Sequence, residues 1–182
     1  MSENIKKLAK SFSMNWSDIA IFVVGAFFIA ISSQVSIPLP NGVPMTLQTF
    51  SVALIGYCLS SQKGIKTILS YLFLGIIGMP VFAQAKSGIP TLLGLTGGFI
   101  FGFIFFVYCC SKAKKANHLI SKLALSAIGL LLCHLFGVLQ YSILTNTNLI
   151  HAASLVSIPF LLKDFFSVLL AFLVSEKLNL DF

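Results

Sequence analysis

Residues 35–50 read VSIPLPNGVPMTLQTF. The stretch carries Pro38, Pro40, Asn41, Gly42 and Pro44 and no charged side chain. Proline fixes φ and withholds a backbone donor, and Asn-Gly favours a tight turn. On either side lie apolar runs, 18–37 and 44–61. A membrane helix needs about 20 mostly apolar residues, within a range of ~17–25. The stretch therefore predicts a stiff hairpin between two membrane helices.

Outward from the hairpin the pattern repeats. Further apolar runs cover 65–79, 92–111, 122–145 and 152–175, giving six spans. The third is short and ends at Gly78-Met79-Pro80. Over 182 residues, 57% are hydrophobic, 9% are charged, and the mean hydropathy is +0.97. That leaves too little charge for the polar skin of a soluble domain. The fold class read here is an all-α integral membrane protein, a six-transmembrane-helix bundle with residues 18–177 as one domain.

The net charge of +7 does not point to nucleic acid, because the chain has no arginine and its lysines fall between apolar runs. Lys6, Lys7 and Lys10 precede span 1, Lys63 and Lys66 join spans 2 and 3, Lys112, Lys114, Lys115 and Lys122 join spans 4 and 5, and Lys177 follows span 6. The other side has Lys86 alone, while Lys163 lies within span 6. The positive-inside rule then makes both termini cytoplasmic, with residues 1–17 and 178–182 as short cytoplasmic segments, and turns the hairpin outward. Residues 1–32 also resemble a signal peptide ending at Ala30-Ile31-Ser32, but the lysine asymmetry already holds with span 1 retained, so retention is expected.

Some residues are costly in a membrane. Asp164 is the acid deep in a span, and on a helix it shares a face with Ser157, Phe160, Ser167 or Val168, and Ala171. Lys163 is adjacent but points about 100° away, so it need not pair with the acid. His134, Gln140 and Tyr141 lie in span 5. A lone histidine there suggests packing, and no metal is expected. Cys58, Cys109, Cys110 and Cys133 lie in apolar runs without zinc-ligand spacing. The glycines of LLGLTGGFIFGF, residues 92–103, are Gly94, Gly97, Gly98 and Gly102, and they either let helices approach or open a helix around a ligand, with Gly97 and Gly98 as the candidate site residues. A phosphate loop is absent, and no activated nucleophile stands out, so no catalytic residue and no enzyme is expected. Ala26 and Ala30 form a small-xxx-small face that Ser33 extends.

The hairpin closely resembles the outer-loop motif of the BioY family, I-P-L-P-x-V-P-x-T-L-Q-T. GMPVFAQAKSGIPTLLGLTGGFIFGF, residues 78–103, resembles a second family stretch, and IPFLLKDFF, residues 158–166, resembles its span-6 motif more loosely. The family comprises biotin-binding S components of energy-coupling factor transporters. The resemblance implies a bacterial plasma-membrane protein that captures biotin in an outward pocket, capped by the hairpin and lidded by the loop between spans 3 and 4. It implies partners: a transmembrane coupling protein and two ATPase subunits. No cofactor is implied.

On that resemblance Asp164 accepts from the ureido N–H groups of biotin. Lys86 meets its carboxylate, with Lys163 or backbone N–H groups near Gly97 as the alternatives. Gln48 and Thr46 line or brace the site, Phe82, Phe99 and Phe160 supply walls, and the face of Ala26, Ala30 and Ser33 contacts the coupling protein. The chain departs from the family at Ser167, where a lysine is usual, at Phe99, where a tyrosine is usual, at Gln84-Ala85-Lys86, and at His134, where many relatives carry a phenol. A biotin precursor or another vitamin is the alternative ligand, and a solitary facilitator or secondary transporter the alternative mode.

Overall fold

The structure, a computed structural model, describes residues 15–178. Lys6, Lys7, Lys10 and residues 179–182 lie outside the described residues. Helix α1 runs Trp16–Gln34, and the hairpin follows as β1 Ser36–Ile37 and β2 Met45–Thr46. These strands pair antiparallel, Ser36 with Thr46 and Ile37 with Met45. Then come α2 Gln48–Cys58, α3 Ser61–Ile76, a 3₁₀ turn Ala83–Ala85, α4 Ile89–Leu93, α5 Gly97–Lys114, α6 Leu119–Thr145, α7 Leu149–Val156 and α8 Ile158–Leu178. Among the described residues the protein is all-α apart from the hairpin.

Four described helices, α1, α5, α6 and α8, are long and apolar enough to cross a membrane. The other two expected spans come out short. Helix α2 has 11 residues, which is about 16 Å at 1.5 Å per residue. It begins only at Gln48 because the hairpin keeps residues 45–46 extended. Helix α3 has 16 residues and starts at Ser61 rather than 65, since the Ser60 side chain caps it by accepting from the Lys63 N–H at 3.5 Å.

The sixth expected span, 152–175, is broken at Ser157. Pro159 explains the break. It has no N–H for the Leu155 carbonyl four residues back, and its ring crowds that carbonyl. Asn41 from the hairpin tip supplies the missing donor, Nδ2 to Leu155 O at 2.7 Å. The tip itself is a turn in which Gly42 N–H donates to Leu39 O at 3.0 Å and Val43 N–H to Asn41 Oδ1 at 3.0 Å. Gly42 sits at φ +80, a left-handed backbone that suits glycine. One local sequence thus makes the turn and mends the helix break.

Helices α5 and α6 lie against each other through their glycines. A Cβ on Gly98 would fall onto the carbonyl of Phe136, and one on Gly102 would come within 2.7 Å of Cys133 Cα. Close backbone approach of this kind is what glycine permits in membrane bundles. Helix α2 is buried on almost every side, between α1, α5 and α8. Its Tyr57 hydroxyl meets Ser126 Oγ of α6 at 2.6 Å, which satisfies a phenol that is otherwise enclosed by the core.

Charged groups gather at the opposite end of the bundle from the hairpin. Lys63 pairs with Asp18 at 3.0 Å, joining the first turns of α1 and α3. Lys122 pairs with Glu176 at 3.1 Å, joining the start of α6 to the end of α8.

The face of α1 that carries Ala26, Ala30 and Ser33 packs inside the chain. All three are buried, at 0%, 8% and 0% exposure. Small residues on α1 serve packing within the chain: a Cβ on the neighbouring Gly25 would meet Thr67 Cγ2 of α3 at 2.6 Å, and Ser33 Oγ lies 2.7 Å from Val81 O.

Candidate functional site

At the hairpin end a pocket opens between α2, α5, α6 and α8. Its space measures about 60 Å³ to the centres of water-sized spheres, several times the ~10–15 Å³ that one water needs. The walls are apolar and aromatic: Phe82, Phe99, Ile100, Phe103, Leu130 and Phe160. Val43, Pro44 and Thr46 of the hairpin and Phe82, Ala83 and Lys86 of the following loop form its covers. Fixed prolines in and beside these covers lower the entropy of holding them over a ligand.

The polar groups converge on Asp164, which is 4% exposed. Its Oδ2 lies 3.1 Å from His134 Nε2, and its Oδ1 is ion-paired with the Lys163 ammonium. His134 Nδ1 lies 3.0 Å from Ser157 Oγ at the helix break. With Nε2 as the donor to the carboxylate, Nδ1 accepts from the serine hydroxyl. Phe99 packs edge-on to the imidazole, 5.7 Å between centroids. His134 is therefore part of the acid's surroundings rather than only a packing residue. The sequence left the partner of Lys163 open. Its long stem bends back to pair with Asp164, and Nζ also donates to Thr46 O of the hairpin at 2.7 Å.

Gln48 and Thr46 brace the pocket as well as lining it. Thr46 Oγ1 donates to Gln48 Oε1 at 3.0 Å, and Gln48 Nε2 donates to the Tyr71 hydroxyl at 2.7 Å. Thus Asp164, Lys163, Lys86, Gln48, Thr46, Phe82, Phe99, Phe160 and His134 all border one space.

Gly97 and Gly98 do not line it. Gly97 N–H is already bonded to Gly94 O at 3.2 Å, and its missing Cβ makes room for the Leu92 carbonyl. Gly98 seats α5 on α6. Both positions serve packing, and the Gly97 N–H itself is already engaged.

Residues missed by the sequence reading include Thr49, Thr91, Thr96 and Cys133 on the pocket wall. Thr49 follows Gln48 and shares no pattern that marks it. Gln140, noted in the sequence but given no role, donates to Leu92 O at 2.9 Å and Gly94 O at 2.6 Å, and so secures the turn before α5. Among the described residues no group of three or more His, Cys, Asp or Glu side chains gathers as a metal site would require.

A bounded pocket with apolar walls, one buried acid and one cation at its mouth suits a small amphiphilic molecule that has hydrogen-bond donors at one end and an anion at the other. The family model described as "BioY family" matches residues 4–181. The chain belongs to the BioY family. Among its relatives, the biotin transporter BioY of Thermotoga maritima is 34% identical, over 88% of this chain and 90% of the relative. The biotin transporter BioY of Rhodobacter capsulatus is 26% identical, over 87% of this chain and 90% of the relative. BioY is a transporter family, not an enzyme family. A crystal structure of the S-component for biotin from an ECF-type ABC transporter superposes with a TM-score of 0.79, covering 98% of this chain and 94% of that one. At 20% identity it shows that the two share a fold. The apolar helices and the BioY relatives together make this chain a membrane protein.

Proposed function

We propose that this BioY protein is the biotin-capturing S component of an energy-coupling factor transporter. One observation carries the reading: a buried carboxylate, held by His134 and Lys163, faces a pocket whose mouth carries Lys86. Biotin presents a flat ureido head with two N–H donors, an apolar thioether ring and a valerate carboxylate. The head meets Asp164 at the floor, because a carboxylate accepts without donating. The ring lies among Phe82, Phe99 and Phe160, and the carboxylate leaves toward Lys86.

Lys163 is engaged by Asp164 and Thr46 O, which favours Lys86 for the anion. Helices α2 and α3 complete six membrane passes with both termini in the cytoplasm of a bacterium, and the hairpin end faces outward, as the positive-inside rule directs. Transport is energised by a transmembrane coupling protein and two ATPase subunits. Their contact uses a surface other than the buried face of Ala26, Ala30 and Ser33.

Uptake into proteoliposomes tests the transport part. Biotin should accumulate only when the partner subunits and ATP are present. Accumulation by this chain alone, driven by an ion gradient, would replace the proposal with a secondary transporter.

A further inference from the structure

The two covers of the pocket are joined beneath it by a chain of hydrogen bonds. From the hairpin, Thr46 reaches Gln48 and Gln48 reaches the Tyr71 hydroxyl. The hydroxyl donates to Val81 O at 3.1 Å, and Ser33 Oγ lies 2.7 Å from the same carbonyl. Gln34, the last residue of α1, then closes the chain onto the loop. Its Nε2 lies 2.7 Å from Ser33 Oγ and donates to Phe82 O at 3.1 Å, while its Oε1 accepts from the Ala85 N–H at 2.9 Å.

The segment that Gln34 grips is strained. Gln84 at φ 61 and Ala85 at φ 55 are successive left-handed residues, and neither is glycine. L-residues hold such backbone only where their surroundings impose it. Gln34 bonds the chain just before the turn and within it. The next residue is Lys86, whose carbonyl accepts from Phe82 N–H at 3.0 Å and closes the loop. We propose that Gln34 is a positioning residue: it holds the Gln84–Ala85 turn shut over the pocket and sets the place from which Lys86 meets a ligand anion. The ligand half of this inference rests on the proposed function; the latch half does not.

Gln34→Met keeps side-chain length and removes both the donor and the acceptor. Gln34 is exposed, so the change leaves no buried void. In detergent without ligand, trypsin should cut after Lys86 at least ~tenfold faster than in the parent, since opening the turn frees the backbone for cleavage. Cleavage after Lys177 should be unchanged. Affinities for biotin and for neutral biotinamide then test the positioning. The parent should prefer biotin by roughly tenfold or more, the factor a hydrogen bond to a charged group supplies. Gln34→Met should bring that preference close to parity and move biotinamide by less than about threefold, a difference smaller than one such bond.

Unchanged cleavage after Lys86 would overturn the latch. Faster cleavage with the preference intact, or equal loss for both ligands, would overturn the positioning of Lys86. A parent that ignores biotin would defeat the functional proposal, while the cleavage comparison would still decide the latch.

Discussion

Lys163 precedes Asp164 by one position, and their Cα–Cβ bonds diverge around the helix, yet the two charges meet. The reach of a four-carbon stem overrides helical phase, which is why spacing alone left the pairing open. Asp164 is the reverse case: helical periodicity puts it on a face with Phe160 and Ala171, and all three are buried. The acid stood out because a carboxylate is costly in a span, and Lys86 because it is the lone lysine between the apolar runs on the hairpin side. The roles of His134 and Thr49 did not, since they depend on which helices meet. Asp164→Asn should cost biotin at least ~3 kcal/mol, the lower bound for breaking a buried charged partnership, because the amide presents N–H groups to N–H groups and leaves Lys163 without its anion. Calorimetry beside a melting curve in detergent checks this; a mutant that melts and binds like the parent would remove Asp164 from the site. Lys86→Ala should cost biotin about 1.5–3 kcal/mol and biotinamide far less. Equal losses for the two would instead mark a folding defect in the loop.

At the scale of elements, the hairpin was readable from its prolines and Asn41-Gly42, while the pairing of Ser36 with Thr46 across the connection 38–44 was not. Its second task was not readable, because the Leu155 carbonyl it serves lies 114 positions away. Asn41→Ala should leave that carbonyl without a donor and loosen the cap, lowering stability by about 1 kcal/mol, at the low end for a partly buried acceptor. A melting temperature equal to the parent's would show that water satisfies the break as well as Asn41 does. Helix lengths were legible only roughly: hydrophobic runs do not reveal that Ser60 caps α3 early or that the hairpin delays α2. The small residues of α1 are ambiguous in the sequence, because a small-xxx-small face looks the same whether it packs inside a chain or against a partner, and in the structure they are buried. Ala26→Leu should therefore destabilise the protein by about 1–3 kcal/mol through overpacking, seen as a lower melting temperature in detergent. A stable Ala26→Leu protein with impaired uptake would restore that face as a partner surface.

Across the whole molecule, charge collects at one end and the pocket opens at the other, with a glycine-seated helix pair and a buried central helix between them. Under the proposed function this polarity lets a ligand enter at the pocket end while partner subunits supply the energy, and the sequence carries no Walker A pattern. Binding should accordingly need neither ATP nor any other subunit. The most direct test is calorimetric titration of the purified, ligand-free chain in detergent. Biotin should bind tightly and at one site, and riboflavin or thiamine should give no heat. Heat from either of those vitamins with none from biotin would contradict the account.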